Sequence, residues 1–289
     1  MYTTVKQAEV NQEYQITQVI EENDTTSRIK EYMRKRNMKL TREDVMTLIE
    51  INGSSKKLDL SGCDLSGVNL SKLNLEEIFF GTTKIVMSAT IEEMSSGANL
   101  EGAMLERANL KGANFGRANL KRAKFYKSDL TEATFWAADM EGVDLRGTTL
   151  TNADFYTAIL KDARLLGARL NGANLLRAYL AGAMLSMKDI GSKIIQETME
   201  GYENYYERWY ITPDVKKYKQ THLDVRYLEA MEIYLTLKST FLSAGRFDDA
   251  SKAYFKERQL EKKTFAPWRA ARYYGDAFCA SRAIQPPNN

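Results

Sequence analysis

Residues 98–120 read ANLEGAMLERANLKGANFGRANL, with a large apolar residue at every fifth position: Leu100, Leu105, Leu110, Phe115 and Leu120. Two residues before each stands an alanine, at Ala98, Ala103, Ala108, Ala113 and Ala118. Counted outward, the phase holds from Leu60 to Leu185, where only Thr90 and Ser95 among 26 positions are not Leu, Phe, Met or Ile. The preceding small position is Ala at 15 of 18 places from Ala98 to Ala183. A period of five fits neither a helix at 3.6 nor a flat strand at 2. The chain must turn a corner in each repeat to return the same side chain to the interior. A fixed period of this kind signals a repeat architecture, built here from short extended pieces and tight turns.

Ala98-Asn99-Leu100, Ala108-Asn109-Leu110, Ala118-Asn119-Leu120 and Ala173-Asn174-Leu175 match the A-(D/N)-L-x-x pattern of the pentapeptide-repeat family. Residues 58–187 resemble that family in one continuous phase. The resemblance implies a mainly β fold: a right-handed quadrilateral parallel β-helix with about four pentapeptides per coil. Residues 20 apart should then stack. Phe115, Phe135 and Phe155 would form an internal ladder, and Trp136, Tyr156 and Leu176 an outer column. Glu101, Lys121, Glu141 and Lys161 would form a column of alternating charge. Twenty-six pentads predict about 6.5 coils and a rod about 31 Å long at the spacing of neighbouring strands. Alanine at the second inward position follows from the lack of room for two large side chains. Leu58, Cys63, Val68, Leu73 and Ile78 occupy that position in the first pentads, which predicts a wider or less regular end. At 81–97 Thr83, Ser88 and Glu93 replace the small residue, so that stretch is either a loop of about 15 residues or a distorted coil.

Around the repeat, residues 1–26 read as a polar leader, and 27–57 as an N-terminal helical cap with Ile29 and Met33 on one helix face. A second helix starts at Thr41, a capping residue followed by acidic Glu43 and Asp44, and ends at Gly53. Residues 188–289 form a C-terminal α-helical region with a hairpin at about 223–263. Its first helix carries Tyr227, Ala230, Tyr234, Leu237 and Phe241 on one face, Gly245 turns the chain, and Phe247, Ala250 and Tyr254 continue. A solenoid exposes strand edges at both ends, so helical covers are expected there. The hairpin and the helix leading into Leu58 are similar to those of a group of bacterial and archaeal pentapeptide-repeat membrane proteins. In longer relatives of that group a Tyr-Gly motif, here Tyr274-Gly275, precedes membrane helices. This sequence stops 14 residues after Gly275, which suggests a fragment, a split gene product or a soluble offshoot.

Composition narrows the function. The net charge is +3, with 41 basic and 38 acidic residues, and residues 56–187 hold 16 and 15. No apolar run is long enough for a transmembrane helix, and the polar start lacks a signal core. Cys63 falls at an inward position, as a buried thiol rather than the partner of Cys279, and the expected compartment is cytoplasmic. His222 is the single histidine, which leaves no Ser-His-Asp triad and no zinc spacing. No phosphate-binding glycine motif occurs, because the regular glycines are pentad corners. The expectation is no enzyme, no cofactor and no metal.

Two outer faces remain as candidates. One is basic: Arg107, Lys124, Lys127, Arg146 and Arg164, with Tyr126 among them and Glu106 and Asp144 nearby. The other is the column of Trp136, Tyr156 and Leu176 flanked by Arg117 and Arg177, open to a partner unless the C-terminal region folds onto it. The function read from this is a non-catalytic interaction scaffold that presents β-helix faces to a protein partner. The alternative is a domain associated with a membrane or channel-like partner, hence a membrane-associated location. Some members of the family mimic DNA and protect a topoisomerase, which requires strongly negative sides; the near-neutral repeat argues against that role and against nucleic acid as a partner.

Overall fold

The computed structural model describes residues 39–81, 97–197 and 215–264. The leader, Ile29 and Met33 of the expected N-terminal cap, and Tyr274-Gly275 lie outside these residues.

Each pentad supplies one bridge residue and one turn. Parallel bridges join residues 20 apart, from Asn99 and Asn119 to Arg164 and Met184, so four pentads complete a coil. The Leu120 N–H donates to the Asp139 carbonyl at 2.7 Å, and the Asp139 N–H donates back to Ala118 at 3.0 Å. At the corner, the alanine N–H returns to the preceding large residue, as from Ala103 to Leu100 at 3.0 Å. The residue before that alanine has positive φ, 66° at Gly102 and 55° at Arg122. Positive φ at the third turn residue is the mark of a type II turn. The Asn or Asp after the alanine works twice. Its Oδ1 accepts the N–H two residues on, as from Tyr156 to Asp154 at 3.1 Å, and an Asn amide also donates to the preceding coil, as from Asn119 to Asn99 at 3.0 Å.

The interior is a column of buried aromatic and aliphatic side chains. Phe115 stacks on Phe135 at 5.1 Å and Phe135 on Phe155 at 4.9 Å, with planes within 6°. Phe80 extends the stack below Phe115 at 5.1 Å. Phe125 meets Phe115 and Phe135 edge-on at 5.6 and 6.3 Å. Polar residues at the small inward position are satisfied locally: Thr148 donates to the Leu145 carbonyl at 2.6 Å and Ser128 to that of Leu105 at 2.5 Å.

The register changes once. Asp64, Asn69, Asn74 and Phe79 bridge to Asn99, Met104, Asn109 and Asn114, each pair 35 rather than 20 apart. The Ala98 N–H donates to the Phe80 carbonyl at 2.6 Å, the corner bond that position 83 would make in an unbroken repeat. Winding therefore resumes at Ala98 with three pentads fewer than the sequence count, giving a rod about 28 Å long. Because fifteen is a multiple of five, the phase persists. A Cβ at Gly81 would lie 2.2 Å from the Gly116 nitrogen, and one at Gly97 2.4 Å from that of Ala118. The chain on either side of the gap thus passes too close to the next coil for any side chain. The choice between loop and distorted coil falls on 82–96, outside the described residues.

At the N-terminal end, Lys39 bridges to Asp64 and the Leu40 N–H donates to the Asp64 carbonyl at 2.8 Å. Helix α1 (Arg42–Asn52) starts with a reciprocal capping box between Thr41 and Asp44 and ends at Gly53 with φ 76°. Leu40, Val45 and Leu48 are buried with the first coil. At the other end, the short helix α2 (Met187–Ile190) is capped by Ser186 and Asp189. The Asp189 carbonyl accepts the Leu170 N–H at 2.9 Å and its Oδ1 accepts the Gly167 N–H at 3.0 Å, so the part of the last coil around these residues is paired.

A 3₁₀ turn at Ile195–Glu197 precedes the hairpin of α3 (Val215–Ser243) and α4 (Phe247–Thr264). Ala230, Ile233, Tyr234, Leu237 and Phe241 of α3 are buried with Ala250, Ala253 and Leu260 of α4. The buried face of α4 differs from the sequence reading: Phe247 and Tyr254 are exposed, because the small residues Ala250 and Ala253 turn toward α3. Tyr234 Oη donates to Glu197 Oε1 at 2.5 Å, and Lys256 Nζ donates to the Ser192 carbonyl at 2.8 Å and to Glu197 Oε2 at 3.3 Å. Burial, then the Glu197 charge, raises the Tyr234 hydroxyl well above the ordinary tyrosine range. Asp249 accepts the Met187 N–H at 3.1 Å. No helix among the described residues is long and apolar enough to cross a membrane.

Candidate interaction surfaces

The 20-residue register sorts the outer residues into columns. Trp136, Tyr156 and Leu176 share one: the N–H groups of Arg117, Ala137 and Thr157 donate to their carbonyls at 2.7, 3.0 and 3.1 Å. Arg117 and Arg177 occupy the adjacent corner positions. Leu176 is only 7% exposed, and Tyr156 packs partly buried against the core. Arg177 donates to the Tyr156 hydroxyl at 3.2 Å and lies 4.0 Å from Glu232 on α3. The neighbouring column of Asn114, Thr134, Asp154 and Asn174 is buried, and the Gln196 amide donates to Asn174 Oδ1 at 2.7 Å. The Leu176 end of this side thus meets the C-terminal region. One Arg117 guanidinium nitrogen is buried without a hydrogen bond among the described residues.

The five predicted basic residues gather on one side. Lys124 bridges to Asp144 and Asp144 to Arg164, which makes a single column. Arg107 and Lys127 stack at the adjacent corner, their N–H groups donating to Tyr126 and Arg146 at 3.0 and 3.2 Å. Lys72 joins them through its bond to Glu106, also at 3.0 Å. Sequence reasoning missed Lys72 because the 35-residue step hides its place in the column. Arg146 grips Asp144 with two bonds of 2.8 and 2.6 Å, which hold the Asp144 carboxyl below the usual aspartate range. Lys127 Nζ lies 5.1 Å from the centre of the Tyr126 ring and the Arg146 guanidinium 5.9 Å from it, both within cation–π range. Lys72, Arg107, Lys124, Lys127 and Arg164 are exposed, and none forms an ion pair among the described residues.

The side bearing Glu101, Lys121, Glu141 and Lys161 behaves differently. Lys161 bonds Glu141 at 2.6 Å, Lys121 pairs with Asp139 at 3.1 Å, and Arg122 lies 3.8 Å from Glu101. The bond from Lys161 lowers the Glu141 carboxyl and raises the Lys161 ammonium. Alternating charge along a column is consumed within the rod. Among the described residues no group of three His, Cys, Asp or Glu side chains is placed to hold a metal ion. Cys63 is buried as a free thiol.

Residues 98–175 match the family model described as a pentapeptide repeat region. None of the curated proteins matches the chain. Among solved structures, the chain is similar to the pentapeptide repeat protein Rfr23 of the cyanobacterium Cyanothece, at 28% identity and TM-score 0.35, over 50% of this chain and 94% of that one. It is also similar to a pentapeptide repeat protein of the Arabidopsis thaliana thylakoid lumen, at 25% identity and TM-score 0.27, over 42% and 68% of the two chains. A third is HetL from Nostoc, involved in heterocyst differentiation regulation, at 27% identity and TM-score 0.26, over 47% and 55%.

Proposed function

Residues 98–175 form a pentapeptide-repeat region, and from that premise we propose that the chain is a non-catalytic scaffold whose right-handed, quadrilateral coils, covered by helices at both ends, present side faces to a protein partner. One observation carries this reading: the inner columns repeat almost unchanged, while each outer side has its own chemistry, one paired, one basic and one turned partly toward the hairpin. Such a rod holds side chains at fixed spacing at little cost in ordering on binding. The test is affinity capture with the immobilised full chain and variants that keep the wild-type melting temperature. Substitution on one side, such as Trp136→Ala with Tyr156→Ala, or Lys124→Ala with Arg164→Ala, should remove captured proteins that substitution elsewhere retains. If no set of surface substitutions changes what is captured, the scaffold reading fails.

A second reading, association with a membrane or channel-like partner, is favoured by Leu228, Leu235 and Leu242. They are exposed and seven residues apart along α3. Co-sedimentation of the chain with membranes, lost on changing these leucines to glutamine, would support it; a chain left wholly in the supernatant would overturn it.

A further inference from the structure

We propose that the basic side docks an acidic, partly apolar protein segment in extended form, laid along the rod from Lys72 toward Met184. This rests on the scaffold reading and names the chemistry of one partner. Lys72, Arg107 and Lys127 rise one coil at a time, so their corner carries a positive charge about every 4.8 Å. Lys124 and Arg164 flank them in the adjacent column; of the two acids on this side, Asp144 is engaged by Arg146 and Glu106 accepts from the Ser71 hydroxyl at 2.8 Å, so the cations still outnumber the acids. The chain as a whole is almost neutral, so this excess is local rather than general. The paired side shows the alternative: there Lys121, Arg122 and Lys161 each have a carboxylate within 4.0 Å.

The same columns end in apolar residues. Leu166 follows Tyr126 and Arg146, and Met184 follows Lys124, Asp144 and Arg164; they are 40% and 48% exposed. A surface that runs from cationic to apolar suits a segment with carboxylates at one end and apolar side chains at the other. A nucleic-acid strand would instead need cations throughout and free aromatic faces for its bases. The exposed ring here, Tyr126, is attended by Lys127 and Arg146. Five coil steps span about 24 Å, which an extended peptide covers with about seven residues.

The probe is a fluorescein-labelled peptide of about eight residues, glutamates followed by leucines, titrated with the full chain and read by anisotropy. We expect saturable binding that weakens with salt, as a charge-led contact must. Arg107→Glu with Lys127→Glu should weaken it at least tenfold. The same charge change on another side, Lys111→Glu with Arg169→Glu, should leave it within twofold. Arg107→Gly with Lys127→Gly guards against misfolding, because glycine takes the positive φ of 58° at both corners without strain. That variant should melt no lower than wild type and still lose affinity. Equal loss from the Lys111 and Arg169 changes, absence of saturable binding, or tighter binding of an oligothymidylate would each overturn the inference. If the peptide fails while capture of proteins by the chain persists, the scaffold reading stands and this assignment falls.

Discussion

Inside the coils nearly every position is dictated by its neighbours above and below; outside them, almost none is. Phe115, Phe135 and Phe155 repeat because each ring is the floor of the next. In the outer columns, Lys124, Asp144 and Arg164 follow one another with no common chemistry, since the bridge between them uses only backbone. The hairpin lies further from the repeat's rule, fastened at its base by Glu197, Tyr234, Lys256 and Asp249. Stability and recognition are therefore assigned to different residues of the same pentads. A surface can change without cost to the rod, whereas the core cannot.

The largest test removes one ring. Phe135→Ala deletes the middle of the stack, where Phe115, Phe125 and Phe155 all meet it. A cavity at a fully buried phenylalanine costs about 3–5 kcal/mol, and the two flanking coils have no means of closing it because backbone bonds fix their spacing. Thermal and denaturant unfolding should show the loss. Were the cost below about 1 kcal/mol, the interior would be adaptable and the contrast with the surface would disappear.

What could be read from the sequence divides along the same line. The inward positions and the 20-residue coil were legible, because period and side-chain size are imposed by packing. Phe80 and Lys72 were not, since the 15 extra residues keep the five-residue phase and conceal the change in stacking partner. The side chosen by each charge was legible only as a column. That Lys121 turns to Asp139 rather than to Glu101 or Glu141 depends on rotamers, on which the repeat places no constraint. Of Phe247, Ala250 and Tyr254, read together on α4, only Ala250 is buried, and Ala253 joins it. There the close approach of two helices selected alanine.

An intermediate effect is expected at the hairpin's anchor. Glu197→Ala strips the acceptor from the buried Tyr234 hydroxyl and one partner from Lys256, while the Lys256 bond to Ser192 survives. Leaving a buried donor unmet costs about 1–3 kcal/mol. The loss should be local: amide hydrogen exchange should quicken across α3 and α4 and stay unchanged in coils between Ala98 and Leu165. Uniform quickening would mean that hairpin and coils unfold as one unit, and that the two regions are not separately held.

The smallest effect is expected at Asp144, one of the two acids on the basic side. Its carboxyl is held below the ordinary aspartate range, first by the hydrogen bonds from Arg146. A lowered folded-state pKa contributes stability above the unfolded value and loses it as pH falls through the folded one. Asp144→Asn should therefore lower the melting temperature slightly at neutral pH, by about two degrees or less for a pair whose arginine is open to solvent, and the gap from wild type should close in acid. Removing the negative charge should also tighten the acidic peptide by a few fold, because Arg146 is released and the side becomes more positive. A melting gap that is large, or constant with pH, would place Asp144 among the residues that build the coil rather than those that decorate it. Tighter peptide binding with almost no change in melting would show that the outer columns can be retuned while the interior stays as it is.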